Sequence, residues 1–239
     1  MSFRIRRDPA YTFTPGQFAR IGLRKPDGSV IWRAYSIVSA PHETFLEFFL
    51  VVVPTGEFSS RVAQLAVGDH MLVEKNAQGF LTADRFKDGR DLWLLATGTG
   101  LAPYISMLRD PAVWRQFAHI VVVLSVRESR DLGYVEELTD MAARSGAGAA
   151  DVAGGGKLIF LETLTREAAD GALHGRIPAL IESGELEKAA GLILNDADSR
   201  FMLCGNPEMV ESMRALLKAR GFRMNRKLEP GHIIVENYW

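Results

Sequence analysis

One cysteine, Cys204, stands among 239 residues. A lone thiol excludes an internal disulfide and a thiolate-held iron–sulfur cluster, which needs several sulfur ligands. Long apolar runs are also missing. The longest clean one, Phe48 to Val53, is far shorter than a membrane span, and 47% hydrophobic with 24% charged residues is ordinary soluble composition. Charge of one sign is missing too: a net charge of -1 at pH 7 leaves no global attraction to nucleic acid or to an anionic membrane. The five histidines, His42, His70, His119, His174 and His232, are scattered away from ligand spacing, so no metal is assigned. Met1 to Arg7 carry charge with no apolar stretch and cleavage site behind them, so no secretory signal is read and the cytoplasm is the expected location.

What is present falls into two styles. From Phe3 to about Lys87 short β-branched and aromatic stretches alternate with turns at Pro15-Gly16, Pro26-Asp27-Gly28, Pro54-Thr55-Gly56 and Val67-Gly68-Asp69. This spacing predicts an antiparallel β-barrel over 1–88, with strands Gln17 to Leu23, Val30 to Val38, Phe45 to Val53 and His70 to Lys75, and one helix, Ser59 to Ala66. A ligand covering one face would account for the unbroken Phe48 to Val53 run. Beyond Gly89 the rhythm becomes buried strand, glycine turn, helix. Strands Leu92 to Ala96, Ile120 to Val126, Leu158 to Glu162, Phe201 to Cys204 and Ile233 to Val235, with helices Pro103 to Arg109, Gly133 to Ala143, Ile177 to Ser183 and Pro207 to Arg220, predict a doubly wound parallel-sheet α/β domain over 89–239. Ser145 to Gly156, rich in glycine and alanine, reads as a surface loop.

Several short stretches carry chemistry. Thr97-Gly98-Thr99-Gly100-Leu101-Ala102-Pro103 is a glycine-rich strand-to-helix turn where backbone N–H groups can meet a phosphate, although Pro103 replaces the third glycine of the usual dinucleotide fingerprint. Cys204-Gly205-Asn206-Pro207 opens another helix at the same carboxyl edge. After the strand ending at Val126 come Arg127, Glu128, Ser129 and Arg130; arginine there favours a 2′-phosphate, and Glu128 pulls the other way. Arg166 in Leu164-Thr165-Arg166-Glu167 and Arg176 are further candidates for that phosphate. In the first half, alternation on the strand Arg33-Ala34-Tyr35-Ser36 sends Arg33 and Tyr35 to one face, where they could hold a phosphate and a ring or simply pack on one another. Glu57-Phe58-Ser59 opens the short helix, with Ser59 either near a pyrophosphate or acting as a cap. Arg214, Lys218, Arg220, Arg223, Arg226 and Lys227 lie between Ser212 and Leu228 without an acid among them, either a solvated face or a landing patch for an acidic partner.

The order of Arg33-Ala34-Tyr35-Ser36, Gly56-Glu57-Phe58-Ser59, Thr97 to Pro103, Cys204 to Pro207 and the ending Val235-Glu236-Asn237-Tyr238-Trp239 closely resembles the bacterial ferredoxin/flavodoxin–NADP⁺ reductases. The resemblance implies an FAD-binding barrel joined to an NADP domain, passing electrons between NADPH and ferredoxin or flavodoxin, with a monomer sufficient for the task. It implies that Arg33 meets the FAD pyrophosphate, Ala34 is among the residues that bind FAD, Tyr35 flanks the isoalloxazine and Ser36 bonds flavin N5. Phe49, Val51, Glu57, Phe58, Ser59 and Thr99 would complete the cradle. Tyr238 would cover the face that nicotinamide uses, and Trp239 would stack on the adenine. Gly98, Val126, Arg127, Thr165, Arg166, Arg176, Gly205 and Asn206 would hold NADP(H), with Cys204 at the nicotinamide and Glu236 supporting charge or proton balance. Relatives usually carry a further first strand before the segment matching Phe3 to Phe18, and the sequence as given starts without it; the expectation is a truncated sequence, or an edge left unpaired or covered another way. A free-flavin or oxygenase reductase component, and a non-catalytic flavin redox subunit, use a similar frame and stay open at this level.

Overall fold

Alternation of apolar and polar residues makes β1 (Ser2–Arg6) a half-buried strand, with Phe3 and Ile5 turned inward, and it pairs antiparallel with β4 (Phe45–Phe49), Phe3 opposite Phe48. The computed structural model describes residues 1–146 and 155–237. Its chain divides into two units: Met1–Thr82 with Ala102–Asp110, and Ala83–Leu101 with Pro111 onward.

In the first unit, β2 (Phe18–Arg24) and β3 (Val30–Ser36) form an antiparallel hairpin. Asp27 closes its turn by accepting the Ser29 N–H and hydroxyl at 2.9 and 2.6 Å, while Gly28 takes φ +84. β5 (Leu72–Val73) pairs with the other side of β2, and an Ile37–Phe48 bridge links the continuation of β3 to β4. Ile21, Ile37, Leu46, Phe48 and Phe58 fill the core. The expected Phe45 to Val53 strand stops at Phe49, leaving Val51–Val53 in an exposed loop, and the expected His70 to Lys75 strand shrinks to Leu72–Val73. α1 (Glu57–Val62) starts two residues before the expected Ser59, with Gly56 at its cap position, and the Ser59 hydroxyl accepts the Val53 N–H at 3.0 Å instead of capping.

α2 (Ala102–Arg109) follows the glycine turn in sequence yet packs in the first unit. Ser106 donates to the Ser39 carbonyl at 2.7 Å, and Arg109 reaches Glu47 at 3.1 Å and Glu43 at 3.6 Å. Arg4 of β1 meets the same Glu47 oxygen at 3.1 Å, so one carboxylate, 3% exposed, joins β1, β4 and α2.

The second unit is a six-stranded parallel sheet in the order β11-β10-β6-β7-β8-β9, with helices between the strands. Its strands are β6 (Asp91–Thr97), β7 (His119–Val126), β8 (Lys157–Leu164), β9 (Leu173–His174), β10 (Ser199–Gly205) and β11 (Ile233–Asn237). β6, β7 and β10 are apolar runs buried along almost their whole length, as strands covered on both faces must be. The helices are α3 (Pro111–Gln116), α4 (Val135–Gly146), α5 (Ile177–Glu182), α6 (Glu185–Ala190) and α7 (Pro207–Ala219). α3, α6 and β9 are short additions to the expected set. Asn206 caps α7 by accepting the Glu208 N–H at 2.7 Å, Pro207 follows it, and Gly221 closes the turn beyond at φ +90. No helix among the described residues is long and apolar enough to cross a membrane.

Candidate functional site

In the first unit the Arg33–Ser36 stretch ends β3. Arg33 and Ala34 are exposed, Tyr35 is half-buried against Phe58 with ring centroids 5.7 Å apart and near-parallel planes, and Ser36 is 4% exposed. Burial pushes the Tyr35 phenol above its ordinary range, so it stays neutral. The Ser36 hydroxyl oxygen has no hydrogen-bond partner among the described residues, an arrangement that costs about 1–3 kcal/mol until a partner arrives. Beyond β4, Val51, Val52 and Val53 present 64, 38 and 49% of their surfaces to solvent. Phe58 and Ser59 are buried on α1, and Glu57 is exposed at its start, 3.8 Å from the Lys25 ammonium. An orphaned hydroxyl next to a half-buried tyrosine ring backed by Phe58, with an exposed apolar strip bonded to α1 through Ser59 and Val53, is a fitting cradle for a polar heterocycle with an apolar ring.

In the second unit the sheet order reverses at β6, whose neighbours β7 and β10 lie on either side. The two glycine turns leave the sheet at the carboxyl ends of β6 and β10, the crevice where open α/β sheets take ligands. They interlock. Thr97 accepts the Asn206 N–H at 2.7 Å, a side chain on Gly100 would lie 2.3 Å from the Cys204 carbonyl, and one on Gly205, at φ +130, would lie 2.1 Å from the Thr97 hydroxyl. Both glycines are therefore demanded by close approach. Gly98 and Thr99 lie half-buried in this turn. Cys204 is buried and stands in register with Glu236 on β11, so two of the three expected catalytic side chains come from adjacent strands.

The arginines gather at the next strand ends of the same sheet. Thr165 donates its N–H to Val126 at 3.1 Å, Arg166 to Arg127 at 3.0 Å, and Gly175 to Leu164 at 3.0 Å, which brings the tails of β7, β8 and β9 side by side. Arg127, Arg166 and Arg176 stand there exposed, with no acidic partner among the described residues. Arg130 differs, because Glu128 engages it at 2.7 Å. The adverse carboxylate in this loop is thereby neutralised locally.

Residues 1–79 match the oxidoreductase FAD-binding domain family and residues 94–215 the oxidoreductase NAD-binding domain family. The flavodoxin/ferredoxin–NADP reductase of Shigella flexneri is 43% identical over 232 residues, covering 97% of this chain and 90% of the relative. The ferredoxin–NADP reductase A of Sorangium cellulosum is 42% identical over 98% of this chain and 83% of its own. This chain belongs to the ferredoxin/flavodoxin–NADP reductases. A Neisseria gonorrhoeae ferredoxin NADP⁺ reductase, solved with bound FAD and NADP, superimposes with a TM-score of 0.91 at 37% identity, over 99% of this chain and 91% of that one. The reductase family thus accounts for both half-sites: the barrel for FAD and the parallel sheet for NADP(H).

Within this reductase frame some expected residues stand elsewhere than sequence placed them. Val51 is not on a strand, and Ser59 is inside α1 instead of capping it. Phe49 closes β4, half-buried. Tyr238 and Trp239, the family's aromatic tail, lie outside the described residues, as does most of the glycine- and alanine-rich loop. The basic cluster is partly neutralised, Arg214 by Glu211 and Arg226 by Glu229 from just beyond its ends and Arg220 by Glu187 from α6. Sequence reasoning passed over Thr97, whose hydroxyl locks the two turns, and Glu167, which bonds to Ser129 across the arginine cluster. Both stand inside motifs already singled out, but their partners are distant in sequence, and pairing of that kind leaves no local pattern.

Proposed function

We propose that this oxidoreductase carries electrons in the cytoplasm between NADPH and a one-electron carrier, ferredoxin or flavodoxin, working as a monomer. What a bound flavin supplies is exchange between a two-electron hydride and single electrons. The chain's own residues bind and orient. The exposed Arg33 guanidinium would take a pyrophosphate, Tyr35, backed by Phe58, would stack on a ring, and the Ser36 hydroxyl would offer the flavin N5 a hydrogen bond. The Thr97–Leu101 and Cys204–Asn206 turns would receive the nicotinamide end, with Glu236 beside Cys204. Arg127, Arg166 and Arg176 would grip the 2′-phosphate.

The observation that carries this reading is the set of three acid-free arginines on adjacent strand ends, which gives NADP(H) a reason to be preferred over NAD(H). The test is stopped-flow reduction of the FAD-loaded protein by each nucleotide. Arg127→Ala and Arg176→Ala are each expected to weaken NADPH about tenfold and barely touch NADH, the loss of a charge-assisted contact. Equal losses for both nucleotides would refute the assignment.

A further inference from the structure

We propose that Glu167 is the positioning residue of the arginine site, tying the three strand ends that bear Arg127, Arg166 and Arg176 into one receptor for a ribose 2′-phosphate. The inference rests on the NADP reading and deepens it. The Glu167 carboxylate accepts the backbone N–H of Ser129, two residues past Arg127. Glu167 itself follows Arg166. Its carbonyl accepts from His174 Nδ1 at 2.9 Å, two residues before Arg176. One residue therefore touches all three segments, adding a side-chain clip to the backbone links already described. The Ser129 backbone and hydroxyl, with help from Arg130, hold the Glu167 carboxyl below its ordinary range, so the clip stays ionised at neutral pH.

The physical reason for such a clip is order. Exposed loop ends must be ordered when a ligand is gripped. An acceptor that holds the Ser129 N–H meets part of that ordering cost before the ligand arrives, leaving the arginine tips themselves free for phosphate.

The experiment is calorimetric titration of the FAD-loaded protein with 2′-phospho-AMP, which needs no turnover. Glu167→Ala is expected to weaken binding about tenfold, whereas Glu167→Gln, which keeps an acceptor for Ser129, stays within about twofold of the unaltered protein. Ser129→Pro deletes the donor. Glu128 is already extended at φ -137 and ψ 154, as a residue before proline must be, and Ser129 opens a short 3₁₀ turn. This variant should match Glu167→Ala, and the double variant should bind no more weakly than either single one. Unchanged binding in Glu167→Ala, equal losses in Ala and Gln, or additive losses in the double variant would each overturn the proposal. If Glu167→Ala fails to fold, Ser129→Pro against Glu167→Gln makes the same comparison. Arg127→Ala and Arg166→Ala run alongside: if both bind 2′-phospho-AMP undiminished, the 2′-phosphate reading itself has failed.

Discussion

Gly205 shows how much a single residue can be asked to do. Its backbone sits at φ +130 and an added methyl would lie 2.1 Å from the Thr97 hydroxyl, so Gly205→Ala combines conformational strain with a clash inside the interlocked turns. We expect a loss of about 2–4 kcal/mol, read as a lower urea midpoint at unchanged slope, together with weakened nucleotide binding. Trimming Thr97 to Ser should leave stability nearly intact, since the hydroxyl that accepts the Asn206 N–H remains. At this scale the close approach that demands Gly100 and Gly205 lies inside motifs the sequence singles out, and Ser36 and the three arginines stand as its candidates. It could not tell that Ser59 bonds Val53 or that Glu167 bonds Ser129, because those partners are fixed by loop paths and not by periodicity.

Among the elements, α2 is the instructive one. Its apolar sequence and Pro103 start made a helix legible, but its packing is set by the buried carboxylate of Glu47, held by Arg109 from α2 and Arg4 from β1. Arg4 is largely exposed and screened, while Arg109 is largely buried, so the second contact matters more. Arg109→Ala should cost about 3 kcal/mol by leaving Glu47 poorly compensated; Arg109→Ala with Glu47→Gln should recover much of it, which a double-mutant cycle in urea measures. Additive losses would rule out the coupling. Strand ends were the least legible elements: Val51–Val53 continue the apolar run of β4 without belonging to it, since an apolar residue awaiting a ligand and one facing a core look alike in sequence.

For the whole molecule, pH and salt act through groups spread over the chain. His232 is buried and accepts the Arg223 N–H at Nδ1, and burial, with Arg200 and Arg223 nearby, depresses its proton affinity below the ordinary 6.5. The unfolded chain therefore binds that proton first, and stability should decline as pH falls from about 6.5 toward the depressed value. Burial alone would raise Asp91, but hydrogen bonds from Arg90 and His119 outweigh it and hold the carboxyl below 3.8, so a second decline belongs below that pH. Urea unfolding across pH 3 to 8 checks both; His232→Gln should remove the first decline and leave the second. Docking of an acidic carrier makes a separate prediction. The patch retains Lys218, Arg223 and Lys227 beyond its paired arginines, so reduction of flavodoxin should slow as ionic strength rises. A rate indifferent to salt would remove the docking idea. Sequence by itself determined the two-part architecture, the order of the binding motifs and the family they belong to, because turn dipeptides, buried strand runs and glycine-rich turns are local signals. Tertiary structure alone decided where the turns lock, which arginines stay free of acids and which glutamate gathers them, because each depends on side chains meeting across strands that the sheet order, and not the chain order, makes neighbours.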